Sequence, residues 1–184
     1  MIGNKKYNII YADPPWSYDS KWGNGVAEHH YTTMTTEDIK NLPIKKFSAE
    51  ECHLYLWVTN PFLKEGIEVC ESWGFEYKTL ITWLKKYKSG EPIMGMGYYF
   101  RGCTEHIIFG VKGKMKIQNK NTRNFFSSIR PDNHSEKPIG TRDLIVSSSG
   151  DLPRIELFAR QRTEGWDVWG NEVPTEYQVP LIKF

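Results

Sequence analysis

Apolar positions along the chain fall into two kinds of run. Residues 7–12, "YNIIYA", are apolar almost throughout, which predicts a strand buried on both faces. Residues 53–59 ("HLYLWVT"), 76–84 ("EYKTLITWL"), 105–111 ("EHIIFGV") and 154–159 ("RIELFA") predict four more strands, and "GWDVWGNEV" a short sixth. Helical signals lie between them. "MTTEDIKNLP" reads as a short helix with Thr35 or Thr36 as its N-cap and acids in its first turn. Asn60-Pro61 opens a second helix, along which Leu63, Ile67, Cys70 and Trp73 recur at helical spacing until Gly74. A third runs from Pro138 to Gly150, and residues 88–103 form a Gly-rich loop.

Strands alternating with helices predict an α/β fold whose mostly parallel sheet is covered by helices on both faces. Ligands in such sheets bind beyond the carboxyl ends of the strands. The Asp13 segment, Thr59-Asn60 and Arg160 all follow predicted strands and are expected along one edge.

Composition narrows the class. With 184 residues, 39% hydrophobic and 25% charged, the chain reads as one ordinary globular domain over 1–184. No apolar run reaches the roughly 18 residues of a membrane span, and the N-terminus lacks an apolar signal segment, so a cytoplasmic protein without membrane association is expected. Cys52, Cys70 and Cys103 are scattered, which points to reduced thiols. No metal is expected: Glu28-His29-His30 is a poor ligand set, because adjacent histidines rarely share one ion.

The net charge of +2 hides an uneven spread. Residues 111–130 carry six basic side chains and no acid; residues 77–90 carry four lysines and no acid. Local surplus of this kind suits either phosphate or a solvated face.

The chemistry concentrates in "YADPPWSYD", just past the first strand. Asp13 supplies an acceptor. Pro14 and Pro15 have no N–H and restrict the residues before them, which fixes the Asp13 and Pro14 carbonyls with few local donors to occupy them. Trp16 supplies a flat face. Those four residues are either a tight turn with a core tryptophan or a site for a planar group bearing an NH₂. The adenine amine is such a group: two acceptors on its two N–H bonds return electron density to nitrogen, and an electrophilic methyl in line could then be attacked.

Asp13-Pro14-Pro15-Trp16 resembles the DPPW signature of the MT-A family of N6-adenine methyltransferases. "HYTTM" (30–34), "LYLWVTN" (54–60), "TEHIIFGVKG" (104–113), "HSEKP" (134–138), "ELFAR" (156–160) and "WGNE" (169–172) resemble further family segments in the family's order. The resemblance covers nearly the whole chain and is nearer to the small bacterial and phage members, having Asn171-Glu172 where the eukaryotic enzymes have Asn-Gln. It implies a circularly permuted Rossmann-like fold, the catalytic motif first and the S-adenosylmethionine motif last, with S-adenosylhomocysteine as product.

The resemblance also implies roles. Asp13 and the Pro14 carbonyl, in the turn that Pro15 stiffens, hold the amine, and Trp16 stacks on or walls the base. Asp13, His134, Lys137, Phe158, Arg160, Asn171 and Glu172 hold the cofactor: Lys137, with His134, at its carboxylate, Phe158 and Arg160 beside its ribose and methionine parts, Asn171 and Glu172 at its ribose hydroxyls. His106 reads as a packed, hydrogen-bonded histidine. In the longer members a strand upstream of the motif contributes to the cofactor adenine; only 12 residues precede Asp13 here.

The expected substrate is a nucleic acid, DNA in preference to RNA. Residues 85–103 and 112–133 are expected to form its surface, through Lys85, Lys86, Lys88, Tyr98, Tyr99, Arg101, Lys112, Lys114, Lys116, Lys120 and Arg123. A chain this short leaves no separate recognition domain, so relaxed recognition, a second copy or a partner subunit is expected. An inactive partner that only binds nucleic acid is the alternative, although Asp13, Trp16, Lys137, Arg160 and Asn171 are all retained.

Overall fold

The strand Tyr7–Ala12 (β1) lies deep in a seven-stranded sheet, which explains its unbroken apolar pattern. This computed structural model describes residues 5–17, 33–97, 99–132 and 135–179. The other elements are Thr36–Lys40 (α1), Ser48–Val58 (β2), Leu63–Ser72 (α2), Glu76–Lys86 (β3), Thr104–Lys112 (β4), Phe125–Ile129 (β5), Gly140–Ser149 (α3), Arg154–Leu157 (β6) and Asp167–Trp169 (β7). Strand order is β5-β3-β4-β2-β1-β6-β7.

β1 pairs in parallel with β2 and β6, β6 with β7, and β3 with β5. β4 alone is antiparallel to its neighbours, β2 and β3. The sheet is therefore mixed but mostly parallel, with one reversed strand inside it. The start of β4 consequently reaches the edge where every other strand ends.

Side chains alternate across β1. Ile10 and Ala12 face a core shared with Ile39 of α1 and Val69, Cys70 and Trp73 on and after α2; Ile9 and Tyr11 face a second core with Ile145 of α3. Helices thus cover both faces, as expected of an α/β layer fold. Thr35 caps α1, its hydroxyl accepting from the Asp38 N–H at 3.1 Å. The second helix opens with a 3₁₀ turn over Asn60–Phe62, and the third begins two residues beyond Pro138.

β5 falls inside the basic segment that the sequence reads as loop. It is a five-residue edge strand whose side chains alternate in exposure, too short and too polar to stand out from "NFFSSIR". Cys52 and Cys70 are buried as free thiols, and Cys103 is free and half-buried. Among the described residues no helix is long and apolar enough to cross a membrane.

Candidate active site

The sheet's directions gather the chemistry. Asp13 follows β1, Asn60 follows β2, Lys85 and Lys86 end β3, Phe158 and Arg160 follow β6, and Glu172 follows β7. Because β4 is reversed, it delivers Glu105 and His106 to this same edge, His106 opposite Val58 in the β2 register.

Asp13 is held by its turn. The Trp16 N–H donates to the Pro14 carbonyl at 2.9 Å, across a single proline. The Pro14 oxygen is therefore not bare, as the sequence had suggested; a carbonyl has a second lone pair, and that one stays available to a ligand. Met34 N–H donates to the Pro15 carbonyl at 2.8 Å, and Ser17 N–H to the Met34 carbonyl at 3.1 Å. Trp16 is tied into the core. Its ring is buried, stacks on Phe62 with centroids 5.4 Å apart, and donates its indole N–H to the Trp57 carbonyl at 3.1 Å. It anchors the diproline turn into the core and does not line the cavity described below, because burying its large ring against Phe62 removes more apolar surface from water than leaving it as a wall.

Asp13 begins a chain of alternating charge. Its Oδ2 lies 2.8 Å from Lys137 Nζ; Lys137 lies 3.5 Å from Glu105 Oε2; Glu105 Oε1 accepts from Lys85. Lys137 also donates to the Ser135 carbonyl at 3.2 Å and sits 5.3 Å over the Trp57 ring. Burial pushes the Asp13 carboxyl above its ordinary value, against the opposing pull of Lys137. Burial would do the same to Glu105, but Lys137 and Lys85 outweigh it and hold that carboxyl below the ordinary range. Burial disfavours the Lys137 ammonium, yet Asp13 and Glu105 together raise its pKa. The strand-borne glutamate is thus the fixed anion of the group, and Asp13 is the carboxyl poised to change.

A cavity of ≈ 420 Å³ opens beside Asp13, lined by Tyr11, Lys137, Phe158, Arg160 and Glu172 among others. Phe158 sits at φ +60°, a left-handed conformation rare for an aromatic, with its ring edge-on to Trp169 at 5.4 Å. Arg160 Nε approaches Glu172 Oε1 at 3.6 Å. Deeper in, Arg142 makes a bidentate pair with Glu156 at 2.8 and 2.7 Å and covers the Tyr11 ring at 5.9 Å. Tyr11 OH accepts from the Trp57 indole at 2.7 Å, and burial keeps the phenol protonated.

Five expected cofactor residues, Asp13, Lys137, Phe158, Arg160 and Glu172, therefore share one cavity. Asn171 is exposed beside Glu172 and outside the lining; His134 lies outside the described residues. Sequence reasoning missed Tyr11, Arg142, Glu156 and Glu105. Glu105 sits in a quoted segment, but only the reversal of β4 turns it toward Asp13. His106 bridges Thr82 Oγ1 at 3.0 Å and Asn60 Oδ1 at 2.8 Å, a packed histidine as expected.

The basic residues divide. Lys85 belongs to the buried charge chain, so it is not a surface cation. Lys86, Lys88, Tyr99 and Arg101 stay at the Asp13 edge, Lys88 within 3.3 Å of Asp132, and Tyr98 lies outside the described residues. Lys112 donates to Ser48 Oγ at 2.8 Å and pairs in register with Cys52, at the opposite edge. Lys114 and Lys116 follow it there, and Lys120 adjoins Asn119, whose amide reaches Ser147 near the end of α3. Arg123 lies just before β5. The single basic surface expected from the sequence is split, because β4 carries its second half a full strand length away from Asp13.

A family model described as MT-A70 matches residues 7–172. The chain is 35% identical to the Type II methyltransferase M.MunI of Mycoplasma sp, over 95% of this chain and 81% of that protein. It is 31% identical to the N(6)-adenine-specific methyltransferase METTL4 of Mus musculus and 34% identical to the N6-methyladenosine RNA methyltransferase MTA1 of Pyricularia oryzae. Those matches cover 92% and 91% of this chain but only 38% and 47% of the two larger relatives. The extent of the family match, residues 7–172 of the 184, leads to one assignment: the chain belongs to the MT-A70 family.

Proposed function

We propose that this protein transfers a methyl group from S-adenosylmethionine to the N6 amine of adenine in DNA. The observation that carries the reading is a half-buried carboxylate, Asp13, fixed by a diproline turn and lining a ≈ 420 Å³ cavity. That volume lies in the range of small-molecule sites, roughly 300–1,000 Å³.

The residues fit the cofactor. Its carboxylate calls for cations, and Lys137 and Arg160 line the cavity; its ribose hydroxyls call for acceptors, and Glu172 is there; Phe158 offers an apolar face. When bound, the cofactor supplies an electrophilic methyl. Everything else is the chain's own work. Asp13 accepts one amine N–H and the second lone pair of the Pro14 carbonyl accepts the other, which turns the nitrogen lone pair out of the ring. Formation of the N–C bond releases one amine proton, and a carboxylate raised by burial is the better base for it. Lys137 keeps Asp13 ionised until then. The match over 81% of a type II methyltransferase supports DNA over RNA.

The test is incubation with labelled S-adenosylmethionine and duplex DNA, single-stranded DNA or RNA, followed by digestion to nucleosides. N6-methyladenine is expected from DNA. Product only from RNA would transfer the reading to the MTA1-like substrate, and product from none would end it.

A further inference from the structure

The loop joining β3 to β4 has a surface that the chemistry of methyl transfer does not use. Met96, Tyr99 and Phe100 are 88%, 87% and 91% exposed, unusual for large apolar side chains. The stem beneath them is well held: Lys85 N–H donates to the Cys103 carbonyl at 2.8 Å, Ile93 N–H to the Lys85 carbonyl at 3.0 Å, and Gly95 N–H to the Gly102 carbonyl at 3.1 Å. Ile93 is buried under it. At the tip the backbones close in. A Cβ on Gly97 would lie 1.9 Å from the Phe100 carbonyl oxygen, and one on Gly95 2.3 Å from that of Gly102. Glycine at both positions lets the backbones approach this closely while Met96, Tyr99 and Phe100 stay exposed.

The stem is part of the site. Lys85 contacts Glu105, Glu105 contacts Lys137, and Lys137 contacts Asp13. Phe100 lies three positions before Cys103, a reach of up to about 10 Å, comparable to the roughly 8.5 Å depth of a DNA major groove. Arg101 adjoins the tip in sequence, and at the base of the loop stand Lys86, Lys88 and Arg130, the backbone N–H of Arg130 donating to the Lys86 carbonyl at 2.9 Å and Lys88 lying 3.3 Å from Asp132. An exposed apolar tip above a base that carries cations fits a polyanion with flat apolar faces inside it.

Resting on the nucleic-acid reading above, we propose that the 94–101 hairpin is a wedge that enters duplex DNA and takes the stacking place of the displaced target base through Tyr99 and Phe100. Base displacement costs unstacking and unpairing energy, and aromatic replacement of the lost stack returns it in part. The wedge and the amine-holding turn are two ends of one connected unit, so displacement of the base and its delivery to Asp13 are one event.

The experiment compares wild type, Tyr99→Ala/Phe100→Ala and Tyr99→Trp/Phe100→Trp on one DNA preparation, native duplex and heat-denatured, with labelled methyl donor. Cofactor affinity by calorimetry and elution volume are measured beside it. The alanine variant is expected to lose roughly 10- to 100-fold in kcat/KM on duplex, less than about threefold on single strands, with cofactor affinity unchanged; the tryptophan variant should recover most of the loss. Equal losses on both DNAs would overturn the wedge in favour of a general binding surface. No loss would overturn it outright. A loss accompanied by a dimer-to-monomer change in elution would make the tip a protein interface. Wild type active on single strands alone would remove the wedge and leave the methyltransferase reading intact; no product from any substrate would remove that reading itself.

Discussion

At the edge of the sheet away from Asp13, His53 is buried with Nδ1 2.8 Å from Ser149 Oγ and Nε2 3.2 Å from the Met115 carbonyl. Tyr55 OH meets the same Ser149 hydroxyl at 2.7 Å, and Lys112 spends its ammonium on Ser48. At the Asp13 edge, buried polar groups are just as dense but differently arranged: Asp13, Lys137, Glu105 and Lys85 alternate in sign, and the first two face a cavity. The first network closes on itself with hydroxyls and backbone carbonyls. The second is made of full charges that cost desolvation and face space a ligand can enter. Burial of polar groups therefore does not mark a site; uncompensated desolvation beside a cavity does.

Lys137→Met tests this contrast hardest. It strands the Asp13 carboxylate in a buried setting, and breaking one partner of a buried pair costs about 3–5 kcal/mol. A large fall in Tm with loss of cofactor affinity is expected. Adding Asp13→Asn to it should restore part of the stability, since the stranded charge is then gone; strict additivity in that double-mutant cycle would show that the two groups do not interact.

Asp13→Asn alone comes next. Loss of the anionic acceptor, with an amide NH₂ donor put in place of one carboxylate oxygen, should cost roughly 10²–10³ in kcat. Stability should hold or rise slightly, because burial already works against the ionised carboxyl. In wild type the same raised pKa places the acid limb of the pH–rate profile above the ordinary carboxylate range, since the ionised form must accept the amine N–H. A limb near the unperturbed value would mean that Asp13 is not the titrating group.

The two edges also differ in how far the sequence announced them. Apolar-rich runs marked β1 to β4, β6 and β7, and "DPPW" after the first run put Asp13 at a strand end. Lys137, Phe158, Arg160 and Glu172 were implied by the resemblance of "HSEKP", "ELFAR" and "WGNE" to family segments. Direction is what the sequence withheld. Nothing in "TEHIIFGVK" says that β4 runs against its neighbours, yet that reversal brings Glu105 to Asp13 and carries Lys112, Lys114 and Lys116 away. The packing of Trp16 was hidden for a different reason: its neighbour Phe62 is 46 positions away, and only the packed core shows that the two rings stack.

At the far edge the expected effect is smaller and falls on stability alone. His53→Gln should cost about 1–3 kcal/mol by leaving Ser149 and the Met115 carbonyl imperfectly paired, with kcat unchanged at permissive temperature. Burial holds His53 below its ordinary value of 6.5. The fold thus favours the neutral ring, so its contribution is present above that pH and fades as pH falls through the lower folded value. Chemical denaturation at several pH values should show that slope in wild type and a shallower one in His53→Gln.

The smallest effect separates the two halves of the basic surface. Log–log plots of DNA affinity against salt report the phosphates neutralised, at about 0.9 per contact for duplex. Lys86, Lys88 and Arg130 stand at the Asp13 edge, so each single change to glutamine should lower the slope by about one. Lys114 and Lys116 stand a strand length away, and Lys114→Gln/Lys116→Gln should leave the slope where it was. A duplex could still reach both edges by wrapping around the end of the sheet past β5, and then the far lysines would count as fully as the near ones. A fall of about two in the double variant would therefore restore a single continuous surface and turn the closed, structural edge into part of the binding path.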